Sequence, residues 1–145
     1  EMLEKLKSCF DDGTADIETL VNTVVRSEEI FNPSEAKVVF DKDKDALYFS
    51  RSPVPYVMEV EKEGWLEHHT FYKHVGVYAY KMDVLRKITE LPVSPLEATE
   101  RLEQNRWLEN GYKIRVEITN HESVPVDTPE DLERIQKLLK NSSAP

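Results

Sequence analysis

The chain holds a single cysteine, Cys9, and four glycines, each isolated. One cysteine excludes an internal disulfide framework and fits a reducing compartment. Gly13, Gly64, Gly76 and Gly111 stand too far apart to form a glycine-rich loop of the kind that cradles phosphates. No apolar stretch approaches the length of a membrane span and no signal peptide is visible, so a cytoplasmic protein is expected. Basic residues are outnumbered: 19 Lys and Arg face 28 Asp and Glu, a formal net charge of -9. That balance argues against a nucleic-acid backbone as partner, because phosphate neutralisation needs clustered cations. It leaves room for a phosphate-bearing small molecule held through a metal. The 145 residues are enough for one domain with one core.

Apolar periodicity divides what remains into alternating elements. Met2, Leu3, Leu6 and Phe10 predict a helix over 2–10 with no cap ahead of it, as if the sequence were cut from something longer. Residues 17–25 suit a buried strand, and Asn32-Pro33 marks a turn. Residues 37–41 and 46–50 predict two strands of a hairpin, after which Pro53 and Pro55 lead the chain out of the sheet. Residues 57–70, which include Trp65, His68 and His69, are expected to form an exposed excursion, in part helical. A strand over 71–80 and a helix through Met82, Leu85 and Ile88 follow. Ser94, Pro95 and Glu97 form a capping signature that opens a helix running to Asn110-Gly111. Residues 112–118 alternate as a half-buried strand. Thr128-Pro129-Glu130-Asp131 opens a last helix, and residues 141–145 are expected to be a disordered tail. Strands alternating with helices predict an α/β fold, a mixed sheet with flanking helices.

Four constellations carry chemistry. Asp127, held just before a stiff helix start, is placed to bind a hard cation such as Mg²⁺, although plain capping accounts for the same residues. His74, Tyr78 and Tyr80 share one face of their strand, suited either to hydrogen-bonding a polyhydroxylated ligand or to packing under a helix. Leu96, Glu100, Glu103 and Trp107 fall on one stripe of their helix, with Glu103-Gln104 suited to sugar hydroxyls or simply to a solvated face. Arg51, at the end of a strand, can clamp a carboxylate bidentately or pair with one of the many acidic side chains. The spacing of His68, His69, His74 and Cys9 matches no zinc pattern.

Taken in order, these segments carry a resemblance. Asn32-Pro33, Lys37-Val38-Val39, Ala46-Leu47-Tyr48-Phe49-Ser50-Arg51-Ser52, His74-Val75-Gly76-Val77-Tyr78-Ala79-Tyr80, Ser94-Pro95-Leu96-Glu97, Leu102-Glu103-Gln104 and Val126-Asp127-Thr128-Pro129-Glu130-Asp131-Leu132 run collinearly. Over residues 1–140 the chain resembles the 3-deoxy-manno-octulosonate (Kdo) cytidylyltransferases, or CMP-Kdo synthetases. The resemblance implies a Rossmann-like nucleotidyltransferase fold, usually a homodimer. It implies CMP transfer from CTP to Kdo, giving CMP-Kdo and pyrophosphate for lipopolysaccharide synthesis in the Gram-negative cytoplasm, with Mg²⁺. By position, Asp127 would be one of two metal-binding aspartates and the catalytic residue, while Arg51, His74, Tyr78, Glu103 and Gln104 would form the Kdo pocket.

The departures are equally specific. The family's opening half, with its basic glycine-containing loop, cytosine pocket and other metal-binding aspartate, has no counterpart here. Residues 1–140 are thus expected to be the C-terminal, sugar-binding portion of one cytidylyltransferase domain, inactive alone and completed by an N-terminal half. A sheet so divided exposes an edge and apolar faces, so an oligomer or a partly unstable monomer is expected. Asn105 stands where the family commonly has an apolar residue. The alternatives are a non-catalytic sugar-binding or dimerisation module, and a cytidylyltransferase for a related sugar acid.

Overall fold

A computed structural model describes residues 15–121. Cys9, Asp127, the helices expected at 2–10 and after Asp127, and the tail at 141–145 lie outside the described residues.

The most buried strand is β1 (Ile17–Thr23), whose residues through Asn22 are all buried. The hairpin strands are β2 (Lys37–Phe40) and β3 (Ala46–Ser50). The longest is β4 (Tyr72–Tyr80), and β5 (Ile114–Ile118) completes the set. They form one sheet in the order β3-β2-β4-β1-β5. Among the described residues only the β1–β5 pair is parallel; the other pairs are antiparallel. Among the described residues five α-helices and a 3-10 turn (Lys62–Gly64) accompany them: α1 (Ser27–Phe31), α2 (Trp65–His68), α3 (Met82–Ile88), α4 (Pro95–Glu100) and α5 (Glu103–Glu109). This is the mixed α/β sheet with flanking helices that the periodicity predicts.

The hairpin does more than add an edge. Asp41 Oδ1 accepts from the backbone N–H of Asp43 and Asp45, each at 2.9 Å, an Asx turn that builds the tip. The tip then reaches the opposite edge strand. Val116 N–H donates to the Lys44 carbonyl at 2.9 Å, and Lys44 Nζ pairs with Glu117 at 2.6 Å. Asp45 takes Arg115 Nε at 2.6 Å and Lys113 Nζ at 3.1 Å. The hairpin therefore arches over one face, and Val38 and Phe49 of the hairpin meet Ile114 and Val116 of β5 in one core with Ile17, Val84, Ile88 and Trp107.

Two sequence expectations need correction. Residues 57–70 are largely exposed and partly helical, as expected, but they are anchored rather than free of the core. Trp65 is 2% exposed and packs with Val24, Ile30 and Phe71 in a second core, its ring parallel to Phe71 at 5.9 Å. The charged residues of this stretch face outward around that anchor. The helix opened by Ser94 is also not continuous. Ser94 Oγ accepts from Glu97 N–H and the Ser94 N–H donates to Glu97, as the capping signature predicts. At Arg101 the backbone turns left-handed (φ 53°, ψ 46°), ends α4 and lets α5 start in a new direction. Spacing across this joint no longer follows a helical stripe. The short helix α1 arises within the stretch between the predicted strand and the Asn32-Pro33 turn, where no apolar repeat marks it.

Candidate functional site

β4 carries the face on which the site is built. Thr19 opposes Tyr78 and Val21 opposes His74, so a step of two residues on β1 matches a step of four on β4. The extra residues form a bulge at Gly76, whose φ of +77° glycine adopts freely. The bulge keeps His74, Tyr78 and Tyr80 on one side. Their rings run in sequence: Phe49 to His74 at 5.2 Å, His74 to Tyr78 at 5.1 Å and Tyr78 to Tyr80 at 5.8 Å. Trp107 of α5 stands edge-on to both tyrosines at 5.2 and 5.6 Å.

The titration states follow from burial. Burial lowers the His74 imidazole to about 4, so the ring is neutral at neutral pH. Thr19 Oγ1 donates its one proton to the Val77 carbonyl at 2.8 Å and lies 2.8 Å from His74 Nε2. A hydroxyl whose proton is already donated must accept, which assigns the ring proton to Nε2 and leaves Nδ1 as the acceptor. Burial pushes the Tyr78 phenol far up and Tyr80 to about 12, with the nearby Glu103 carboxylate adding to both. All three rings are thus neutral hydrogen-bonding groups.

The polar partners come from α5. Glu103 is exposed and bonds Arg106 at 2.6 Å. Gln104 is 4% exposed, and its Nε2 is buried without a hydrogen-bond partner among the described residues, as is Trp107 Nε1. Unpaired buried donors are uncommon and costly, and the Trp107 indole is packed edge-on against the neutral phenols of Tyr78 and Tyr80.

Arg51 sits at the end of β3 rather than among the rings. Its Nε donates to the Glu100 carbonyl at 2.7 Å, NH1 to the Pro33 carbonyl at 2.8 Å and NH2 to the Arg101 carbonyl at 3.2 Å. It pairs with no carboxylate through its guanidinium in these contacts. One N–H remains on each terminal nitrogen. The structure thus brings His74 and Tyr78 into ring contact, sets the Glu103 carboxylate near enough to act on Tyr78, buries Gln104 beside Glu103 on α5, and ties Arg51 to the joint from which α5 starts. Thr19 has a part in this arrangement that no sequence spacing signals, since its partner lies some fifty residues away. Glu100, placed by spacing on a stripe with Glu103 and Trp107, instead bonds β3, also some fifty residues away. Among the described residues no three His, Cys, Asp or Glu side chains are grouped to hold a metal ion, and no helix is long and apolar enough to cross a membrane.

The family model described as Cytidylyltransferase matches residues 1–118. The chain belongs to the cytidylyltransferase family. A cytidylyltransferase of Parabacteroides distasonis, named for 3-deoxy-manno-octulosonate, is 48% identical over 145 residues, covering 97% of this chain and 58% of its own length. One of the same name from Phocaeicola vulgatus is 52% identical over 141 residues, with 95% and 56% covered. A solved cytidylyltransferase, CMP:2-keto-3-deoxy-manno-octonic acid synthetase complexed with CTP, matches with a TM-score of 0.85 at 38% identity, over 97% of this chain and 56% of that one. The chain spans about half the length of the cytidylyltransferases it matches.

Proposed function

We propose that this chain forms the sugar-acid side of a cytidylyltransferase that transfers CMP from CTP to Kdo, releasing pyrophosphate. The observation that carries the reading is the pair of unpartnered donors, Gln104 Nε2 and Trp107 Nε1, set against the neutral His74–Tyr78–Tyr80 face. The names of the relatives and the CTP-bound neighbour support the choice of substrates.

Kdo offers hydroxyls and one carboxylate. The phenols of Tyr78 and Tyr80 and the amide of Gln104 would donate to its oxygens, and His74 Nδ1 and the Glu103 carboxylate would accept from its hydroxyls. The two remaining N–H groups of Arg51 would take the carboxylate. The anomeric hydroxyl attacks the α-phosphorus of CTP, its O–P bond forms, and the bond to the pyrophosphate oxygen breaks. These residues contribute by holding the hydroxyl in line, and such positioning supplies much of the rate in phosphoryl transfer. Asp127, as the proposed metal ligand and catalytic carboxylate, lies outside the described residues. Mg²⁺ held there would neutralise phosphate charge. The reading extends to a homodimer in the Gram-negative cytoplasm, as the resemblance implies.

The test is pyrophosphate release from CTP, Kdo and Mg²⁺. It uses this chain alone and this chain completed with the part of the Phocaeicola vulgatus relative outside the match. Kdo-dependent release by the completed protein is expected. Release without Kdo, or with none of several sugar acids tried, would overturn the reading.

A further inference from the structure

Residues 48–51 at the end of β3 and residues 100–105 at the α4–α5 joint are laced together by hydrogen bonds. Glu100 is the hub. Its Oε1 accepts from Tyr48 Oη at 3.0 Å and Ser50 Oγ at 2.7 Å, and its Oε2 accepts from the Arg51 backbone N–H at 2.9 Å. Its own carbonyl accepts from Arg51 Nε at 2.7 Å, and the next carbonyl, of Arg101, accepts from NH2. Asn105 closes the lacing from the other end. Its Oδ1 accepts from Phe49 N–H at 3.3 Å and its Nδ2 donates to the Phe49 carbonyl at 2.9 Å. Between these two anchors, on the joint itself, sit Glu103 and Gln104.

We infer that Glu100 is a positioning residue for sugar-acid binding, fixing Arg51 and the Glu103–Gln104 pair in one geometry. The inference rests on the function proposed above and adds a residue that touches no ligand. Its reason is chemical. A carboxylate accepting three hydrogen bonds ties the α4 end of the joint to β3 as Asn105 ties the α5 end, whereas a left-handed residue such as Arg101 cannot hold a helix start in place by its own backbone preference. With Glu100 in place, Arg51 and Gln104 approach a ligand as one body, and their ordering precedes binding. Burial raises the Glu100 carboxyl, but the hydrogen bonds from Arg51, Ser50 and Tyr48 outweigh it and hold the group below the usual carboxylate range. The hub is therefore charged at neutral pH.

Two readouts separate this inference from the function it rests on. The first is amide hydrogen exchange on the 145-residue chain carrying Glu100→Gln, with Ser50→Ala as a milder second variant. Protection is expected to fall at residues 49–51 and 101–105, with β1 and β4 unchanged. The second is steady-state kinetics of the completed protein. The expected result is a rise of about tenfold in KM for Kdo, the scale of one charge-assisted hydrogen bond, with KM for CTP unchanged. Unchanged exchange at the joint would overturn the inference whatever the activity. So would equal rises in both KM values, which mean general destabilisation. If Glu100→Gln fails to fold, Ser50→Ala decides by the same criteria. An inactive wild-type completed protein would sink the proposed function, and exchange at the joint would still decide whether Glu100 is its hub.

Discussion

Asn105 shows how one side chain completes a sheet edge. It is fully buried, and its amide presents to Phe49 the donor and acceptor that a neighbouring strand would supply. An apolar residue at this position would leave the Phe49 N–H and C=O without these partners. Asn105→Leu is therefore expected to destabilise the chain by about 2 kcal/mol in urea unfolding, despite a better apolar fit. A neutral or stabilising result would mean that the β3 edge is satisfied otherwise. His74 gives a second residue-scale prediction. The unfolded imidazole titrates near 6.5 and the native one at about 4, so between these values the unfolded state binds the proton first. Stability contributed by the neutral ring is complete above 6.5 and is lost as pH falls, by up to about 3 kcal/mol. Wild type should thus lose more stability between pH 7 and pH 5 than His74→Gln; parallel losses would contradict the burial of the ring.

At the scale of elements, what could be read from sequence was local. The hairpin, β4, α3 and the Ser94 capping box are visible because alternation, turn residues and caps act over a few positions. The break at Arg101 was hidden, because arginine carries no left-handed signature; glycine or asparagine there would have announced it. The second core was hidden for a related reason. Glu59, Glu61, Lys62, Glu63 and Glu67 surround Trp65, and their charge obscures the single aromatic that anchors the segment. Trp65→Ala should cost about 3–5 kcal/mol, the range for removing a buried aromatic, with Phe31 and Phe71 losing their ring contacts. A loss under about 1 kcal/mol would restore the reading of residues 57–70 as a loosely held surface segment.

Across the described molecule, the hairpin tip is bonded to β5, the joint is bonded to β3, and the aromatic face packs against the core and Trp107. The residue types at this face were legible in the sequence, since period-two alternation puts His74, Tyr78 and Tyr80 together. Their neutrality, the Nε2 proton of His74 and the unpartnered donors of Gln104 and Trp107 were not, because each depends on burial by residues far away in the chain. The two unpartnered donors also report directly on the account. The measurement is a proton–nitrogen NMR titration of the completed protein with Kdo, in the presence of a CTP analogue that cannot release pyrophosphate. The account predicts saturating shifts at the Gln104 side-chain amide and the Trp107 indole N–H, with none on adding a neutral hexose. Saturation by Kdo with both signals unmoved would place the sugar acid elsewhere and contradict it.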